Sequence, residues 1–288
     1  MRGLAPGTDL PVLLPARRTE LPGSELGGRA VAFLGSGRLL GAVACLVALS
    51  MAVAHAADAP ARAGILETVL KWAPLIGKGF LFNLAVSVAS MAIGTFAGLL
   101  LGLGQVSRLP PVRAVAWAAT QFFRNSPWLV LLFFVMFLLP FEVRVAGVVV
   151  ALPAWLKAII GLALPVMANV AEIVRGGVNS VPLGQWESAE SLCFTRVQIL
   201  WRIVLPQAVK RMIPPWMNLY AILTMATTLI SVVGIQDAMT LTRGALVAEG
   251  RTDLYLPLYG LLLLYFFAYC YPIARLTLRL ERRYAVKL

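Results

Sequence analysis

The chain has 288 residues, of which 60% are hydrophobic and only 13% charged, with a net charge of +12. Soluble globular domains carry about 25% charged residues, so this composition excludes an ordinary soluble fold and points to a polytopic helical membrane protein. Nucleic-acid binding is not expected either, because the Lys and Arg residues sit in short segments between apolar runs, as they do in cytoplasmic loops of membrane proteins.

Cys45, Cys193 and Cys270 are far apart and lack metal-ligand spacing, which argues against a disulfide framework and against zinc. His55 lies in an Ala-rich segment with no ligand partner nearby. No catalytic, cofactor-binding or metal site is expected in this chain.

Residues 1–37, rich in Gly, Pro and scattered charge, read as a disordered cytoplasmic tail. Residues 39–57 form an apolar run just long enough to cross ~30 Å of hydrocarbon at ~1.5 Å per residue. Arg38 before it and Ala-His-Ala near its end give it a signal-peptide character. The long segment ahead of it favours a retained span instead. Residues 58–78 read as an amphipathic helix at the membrane interface, with Ile65, Val69, Leu70 and Trp72 as its apolar residues. These pieces make an N-terminal region, 38–74, ahead of a transmembrane domain at 75–280 and a short cytoplasmic tail at 281–288.

The next span is predicted over about Gly79–Leu103. Ser90, Gly94, Gly98 and Gly102 recur every four residues on one face, the pattern that lets another helix approach closely in lipid. Ser107–Arg113 is a short basic turn. From Val112 a segment leads through Arg124 and Asn125 to Pro127, and an apolar run follows to Phe141. Pro127 marks a helix restart, because a proline at a helix start leaves no intrahelical bond unmade. Arg124 is expected near the headgroups. Residues 145–171 read as one span, about Ala154–Ala171, preceded by a short interfacial piece, with Lys157 snorkelling outward. After a polar stretch, Pro214 and Pro215 open a span to about Val233. A connector covers Gln236–Asp253, and Leu254–Ile273 make the last span. The fold class is therefore all-α: a polytopic helical bundle with a five-span core plus an extra N-terminal span. With both termini cytoplasmic, 18 of the 25 Lys and Arg fall on the inner side, as the positive-inside rule demands.

Glu172–Pro215 is the longest polar interruption in the apolar C-terminal two-thirds. Within it, Pro182 near the start of LGQWESAESL indicates a short helix whose apolar stripe is Trp186, Ala189, Leu192 and Cys193. Thr195-Arg196-Val197-Gln198 is a capping box that starts a second helix, running to Leu205 and stopping before Pro206. Two short helices at an angle make a compact knob. Ser188 and Ala189 are small beside acidic Glu187, so the knob suits a groove that offers a basic group. On residue types alone, a solvated connector explains the stretch as well as a docking element does.

The spacing Glu187-Ser188-Ala189, Cys193, Ile203, Leu205-Pro206 resembles the loop signature of the membrane subunits of ABC importers. Its surroundings, AEIVRGGVNSVPLGQWESAESL, RIVLPQAVKRMIPP, LISVVG and FFRNSPWLVLLFF, resemble the polar amino acid branch (histidine, glutamine and glutamate types) over roughly residues 75–280. The resemblance implies a multi-pass permease of the bacterial inner membrane, paired with a second permease subunit, alike or different. It also implies two ABC ATPase subunits and a periplasmic solute-binding protein as partners. Gln185, Trp186, Glu187, Ser188, Ala189, Leu192, Cys193, Ile203, Leu205 and Pro206 are then the ATPase-docking loop, and Met225, Thr227, Thr228 and Ser231 the candidate pathway. No G-x-x-x-x-G-K-[ST] occurs, so ATP and Mg are expected on the partner ATPase.

Two departures stand out. Cys193 replaces the glycine usual at the end of the loop helix. Met225 and Ala226 replace a Lys-Asp pair common in this branch, which shifts any solute site toward the partner permease. The competing readings are import of another solute, an ion-coupled carrier acting alone, and a membrane scaffold. A carrier would need secure ionisable residues or broken helices inside the spans, and none is expected.

Overall fold

The computed structural model describes residues 64–145 and 148–284, and before them only Gly41, Cys45 and Ala48, all helical. The expected tail at 1–37, nearly all of the run at 39–57, and His55 lie outside the described residues, as do 285–288.

The first described helix, α1 (Ile65–Gln105), is 41 residues long, about 60 Å at 1.5 Å per residue. The interfacial helix and the span expected to start near Gly79 are thus one continuous element, with Pro74 inside it. No break forms because the same helix is buried along both of its halves. Ile65, Val69, Ile76 and Phe80 pack into one apolar core, while Val86 and Met91 enter another.

Helix α2 (Pro110–Asn125) follows a four-residue turn and ends at Ser126 in extended conformation, φ −85° and ψ 139°. Pro127 forces that conformation on its predecessor, and Ser126 Oγ returns to the Phe122 carbonyl at 2.7 Å. Helix α3 (Trp128–Leu138) restarts as expected, bent by 107° from α2.

A two-stranded hairpin then replaces the expected interfacial piece: β1 (Glu142–Val145) pairs antiparallel with β2 (Val148–Ala151), Glu142 opposite Ala151. It is the one departure from all-α among the described residues. Its β-branched valines favour extended backbone.

Helix α4 (Ala154–Asn179) is the most buried of the spanning-length helices and runs eight residues beyond the span expected to end at Ala171. Lys157 does not snorkel. It is fully buried, donates to the Leu139 carbonyl at 2.8 Å, and stands 3.7 Å from the centre of the Phe141 ring.

Helix α5 (Leu183–Ser191) and helix α6 (Arg196–Ile199) are the two short helices of the polar stretch. The second does not stop before Pro206. One wide π turn (Leu200–Val204) carries it into α7 (Leu205–Ala226). Pro206 has no N–H and its ring clashes with the carbonyl four residues back; the widened turn just before it accommodates that defect. Pro214 and Pro215, expected to open a span, lie inside α7. A 3-10 segment (Thr227–Val233) ends at Gly234 with φ +83°, followed by α8 (Ala238–Glu249), a further 3-10 turn (Thr252–Leu254) and α9 (Tyr255–Tyr284).

Four of these helical stretches are long and apolar enough to cross a membrane, and the bent α2–α3 pair makes five if counted as one span. The five-span core predicted from hydropathy is therefore present. Two apolar cores hold it. One joins α1, α4, α5 and α7; the other joins the start of α1 to α8 and α9.

Candidate functional site

The small-residue stripe of α1 lies against α4. A Cβ on Gly94, Gly98 or Gly102 would fall within 2.5–2.6 Å of Val166, Met167 or Val174 on α4, so only glycine permits this approach. Ser90 Oγ bonds the Ile159 carbonyl at 3.1 Å from the same face.

At the end of α4 the chain turns through Ser180 into the knob. Ala189, Val181 and Ile199 seat it in the first core. The predicted stripe is half right: Trp186 and Ala189 face inward, whereas Leu192 and Cys193 are exposed. The reason lies in how α5 ends. The Cys193 N–H donates to the Glu190 carbonyl (2.9 Å) and the Phe194 N–H to the Ala189 carbonyl (3.2 Å), which is a complete Schellman closure. It requires a left-handed residue, and Cys193 supplies it at φ +59°. The turn is kept although its glycine is absent, and Leu192 and Cys193 swing outward with it.

The capping box is present on both arms. Gln198 Oε1 accepts from the Thr195 N–H at 2.9 Å, and Thr195 Oγ1 accepts from the Gln198 N–H at 3.4 Å. Three ties hidden from the sequence brace the knob. Gln207 Nε2 donates both to Gln185 Oε1 and to the Ile203 carbonyl, Arg211 donates to the Ser180 carbonyl, and the Arg196 guanidinium lies 4.8 Å from the centre of the Trp186 ring. Gln185, Trp186, Ile203 and Leu205 are partly buried braces; Glu187, Ser188 and Pro206 are exposed. Glu187 takes part in none of the described ion pairs, which are Lys71–Glu249, Arg124–Glu172, Arg175–Glu172 and Arg251–Asp253. The knob therefore presents a carboxylate on a rigid mount.

The pathway candidates do not act as one set. Thr227 and Ser231 point into the interior, while Met225 is half exposed and Thr228 partly buried. Thr227 accepts from Asn83 Nδ2 at 3.0 Å. Glu172 and Arg175 pair near the end of α4, Arg124 closes α2 3.6 Å from Glu172, and Lys157 is buried at the start of α4. Asp237, fully buried at the start of α8, was missed. Its place just ahead of a helical run, as an N-cap residue, was the available signal.

A helical bundle with spanning-length elements and a braced polar knob between two of them defines a membrane-integral protein. Residues 71–286 match the family described as "Binding-protein-dependent transport system inner membrane component", and the chain belongs to that family. It is the permease component of an ATP-binding-cassette importer, with ATP hydrolysis on a separate subunit. The probable amino-acid ABC transporter permease YckA of Bacillus subtilis is 33% identical, over 74% of this chain and 90% of its own length. The probable glutamine permease GlnP of the same organism is 31% identical, over 71% and 91%. A crystal structure of an amino acid ABC transporter with histidines superposes with a TM-score of 0.67 at 25% identity, covering 77% of this chain and all of that one. The inward-facing MetNI methionine transporter shares the fold, with a TM-score of 0.56 at 18% identity, over 74% and 97%.

Proposed function

We propose that this chain carries a polar amino acid across the bacterial inner membrane, as one of two permease subunits seated on two ABC ATPases. The observation that carries the docking assignment is the knob: α5 is closed by Cys193, braced through Gln185 and Gln207, and leaves Glu187 exposed and outside every ion pair among the described residues. Glu187 faces a basic group on the ATPase, Ser188 lets the helix enter its cleft, and Ala189 with Ile203, Leu205 and Pro206 transmits the motion into α7. ATP and Mg reside on the ATPase. Its closure draws the two knobs together and tilts the bundle as a rigid body between inward- and outward-open states. A periplasmic binding protein delivers the solute, and both termini lie in the cytoplasm, where 18 of the 25 Lys and Arg then fall. The names of the relatives support an amino acid as solute.

Met225 and Ala226 carry no charge where the branch often has two, so the partner permease contributes more of the solute site, with Thr228 of this chain beside the pathway. Thr227 and Ser231 hold the backbone that lines it.

Co-expression with the cognate ATPase tests the docking. Glu187→Arg abolishes co-purification and ATP-dependent uptake; retention of both removes the assignment. An uptake panel of glutamine, histidine and cystine tests the solute, and transport of none of them overturns the amino acid reading. Met225→Lys leaves uptake unchanged while changes at the partner's corresponding position reduce it; no effect from either removes the asymmetry.

A further inference from the structure

Helix α9 is 30 residues long, about 45 Å at 1.5 Å per residue, which exceeds the ~30 Å of a hydrocarbon core. Its apolar run ends at Ile273, and residues 274–284 continue the helix beyond it. This extension carries Arg275, Arg279, Arg282 and Arg283. At 3.6 residues per turn the four fall within about 100° of arc. Arg279, Arg282 and Arg283 are exposed, Arg275 is partly buried, and none of the four enters a described ion pair. Glu281, the one carboxylate among residues 271–284, is turned about 150° from the centre of the arc.

The position of this arc on α9 identifies what faces it. Phe266, Cys270 and Thr277 are buried and share the opposite side of the helix. Within the span, exposed Ala268 and partly buried Leu264 lie on the side of the arc. The arginines therefore prolong a side of α9 that the bundle leaves uncovered. Tyr271 stands one turn before Arg275, its ring 5.8 Å from that guanidinium and stacked on Phe267 with 5.2 Å between centroids. A tyrosine at the end of an apolar run marks the headgroup level. From Arg275 to Arg283 the helix rises about 12 Å, which covers a headgroup layer of about 5–8 Å and stays within a Debye length of about 8–10 Å of it.

A guanidinium pairs well with a phosphate oxygen, and a basic cluster directly after a spanning helix attracts anionic lipid. We propose that the arginine arc of α9 binds the headgroups of anionic phospholipids in the leaflet from which the helix emerges. Charge complementarity selects this occupant: four arginines share one side, and the lone carboxylate of the segment is turned away from it. Leu276, 47% exposed, flanks the arc and gives it an apolar edge toward the acyl chains. The bound headgroups hold the end of α9 at the leaflet surface. The inference rests on membrane embedding, and on the cytoplasmic C-terminus proposed above only for naming that leaflet as the inner one.

Native mass spectrometry of the full purified chain, titrated with phosphatidylglycerol or phosphatidylcholine, tests it. The wild-type chain retains phosphatidylglycerol in preference. Arg279→Gln, Arg282→Gln and Arg283→Gln each weaken phosphatidylglycerol binding about fivefold, the gain that one arginine near an anionic surface brings. The triple variant Arg279→Gln/Arg282→Gln/Arg283→Gln loses the preference while its thermal midpoint stays at the wild-type value, because all three side chains are exposed. Arg279→Lys/Arg282→Lys/Arg283→Lys keeps the charge and keeps the preference. Arg113→Gln/Arg202→Gln/Arg243→Gln removes the same charge from α2, the π turn and α8, and also keeps it. Equal phosphatidylglycerol retention by the wild type and the glutamine triple variant at α9 overturns the proposal. Loss of the preference in the scattered triple variant overturns it too, since net charge rather than the arc would then attract the lipid. A glutamine triple variant at α9 that keeps its lipid but loses the co-expressed ATPase assigns the arc to the protein partner and overturns the proposal as well. Because lipid retention needs neither solute nor ATPase, its failure is distinct from a failure of the transport reading.

Discussion

Asn83 on α1 bonds Asp237 at the start of α8, 154 residues away in sequence, with its Nδ2 3.2 Å from Asp237 Oδ2. The same Nδ2 donates to Thr227 Oγ1 at 3.0 Å, and Asn83 Oδ1 takes the Ala238 N–H at 3.0 Å. Asp237 Oδ1 meanwhile caps α8 by accepting from the Thr240 N–H at 2.9 Å. One amide thus fixes α1, the 3-10 segment and α8 at a single buried point.

Asn83→Ala removes three hydrogen bonds and leaves a buried carboxylate oxygen and the Ala238 N–H without their partner. Stranded buried groups cost about 1–3 kcal/mol each, so a lowered thermal midpoint of the purified protein is expected. Asp237→Asn keeps the cap on Thr240 but sets an amide NH2 against Asn83, so it has a smaller effect than Asp237→Ala. Equal midpoints for Asn83→Ala and the wild type would sink this account.

The α1–α4 seam makes a sharper prediction. A Cβ at position 98 would stand 2.6 Å from both the Met167 carbonyl oxygen and Val170 Cβ. Gly98→Ala therefore pushes two helices apart along their length, and overpacking of this kind costs about 1–3 kcal/mol. Gly244, on α8, has nothing within 4 Å of such a Cβ. Gly244→Ala raises stability by up to about 1 kcal/mol, because glycine in a helix is the less favourable residue. Thermal unfolding of the two variants should move in opposite directions.

The features that were legible in the sequence are those decided within one turn of chain. The capping box at Thr195, the restart at Pro127 and the glycine stripe of α1 each follow from local sterics or a single helix face. The misread features depend on distant partners. Ile65–Val69 looked interfacial because its burying residues, on α8 and α9, lie far along the chain. Lys157 looked like a snorkelling residue because the Leu139 carbonyl that receives it cannot be placed from sequence. Pro214 and Pro215 lie inside α7 because prolines are tolerated in the helix interiors of membrane bundles, where neighbouring helices re-satisfy the freed backbone groups. The hairpin is the exception, since its run of valines is a local strand signal. In the knob, the apolar stripe marks Trp186 and Ala189 as inward-facing, but the glutamine pair that braces the helix has no local signal.

Cys193 is where the knob departs from the usual chemistry of a helix end. It holds φ +59° in a Schellman closure with both bonds made, and a left-handed residue with a side chain costs about 1–2 kcal/mol. Cys193→Gly removes that strain at some cost in unfolded-state entropy, so a net gain of about 1 kcal/mol or less is expected. Cys193→Val is destabilising, since a branched Cβ is least tolerated there. Unfolding of the two variants, with ATPase co-purification as a second reading, checks the order Gly above Cys above Val.

The last prediction concerns pH. Glu249, at the end of α8, accepts from Lys71 Nζ at 2.8 Å and from Trp72 Nε1 at 2.7 Å. The hydrogen bond from Lys71, followed by that from Trp72, holds its carboxyl below the usual value of 4.5. A carboxylate depressed in the folded state stabilises above its unfolded pKa and loses that contribution as pH falls through the folded one. The tie between α1 and α8 is therefore intact at pH 6 and weakens below about 4.5, the unfolded carboxylate value. Glu249→Gln keeps an acceptor for Trp72 but cannot titrate. Its thermal midpoint should lie below the wild type at pH 6, and the gap should close as pH is lowered through this window. A gap that stays constant with pH would mean that the Lys71 contact contributes nothing to holding the two helices together.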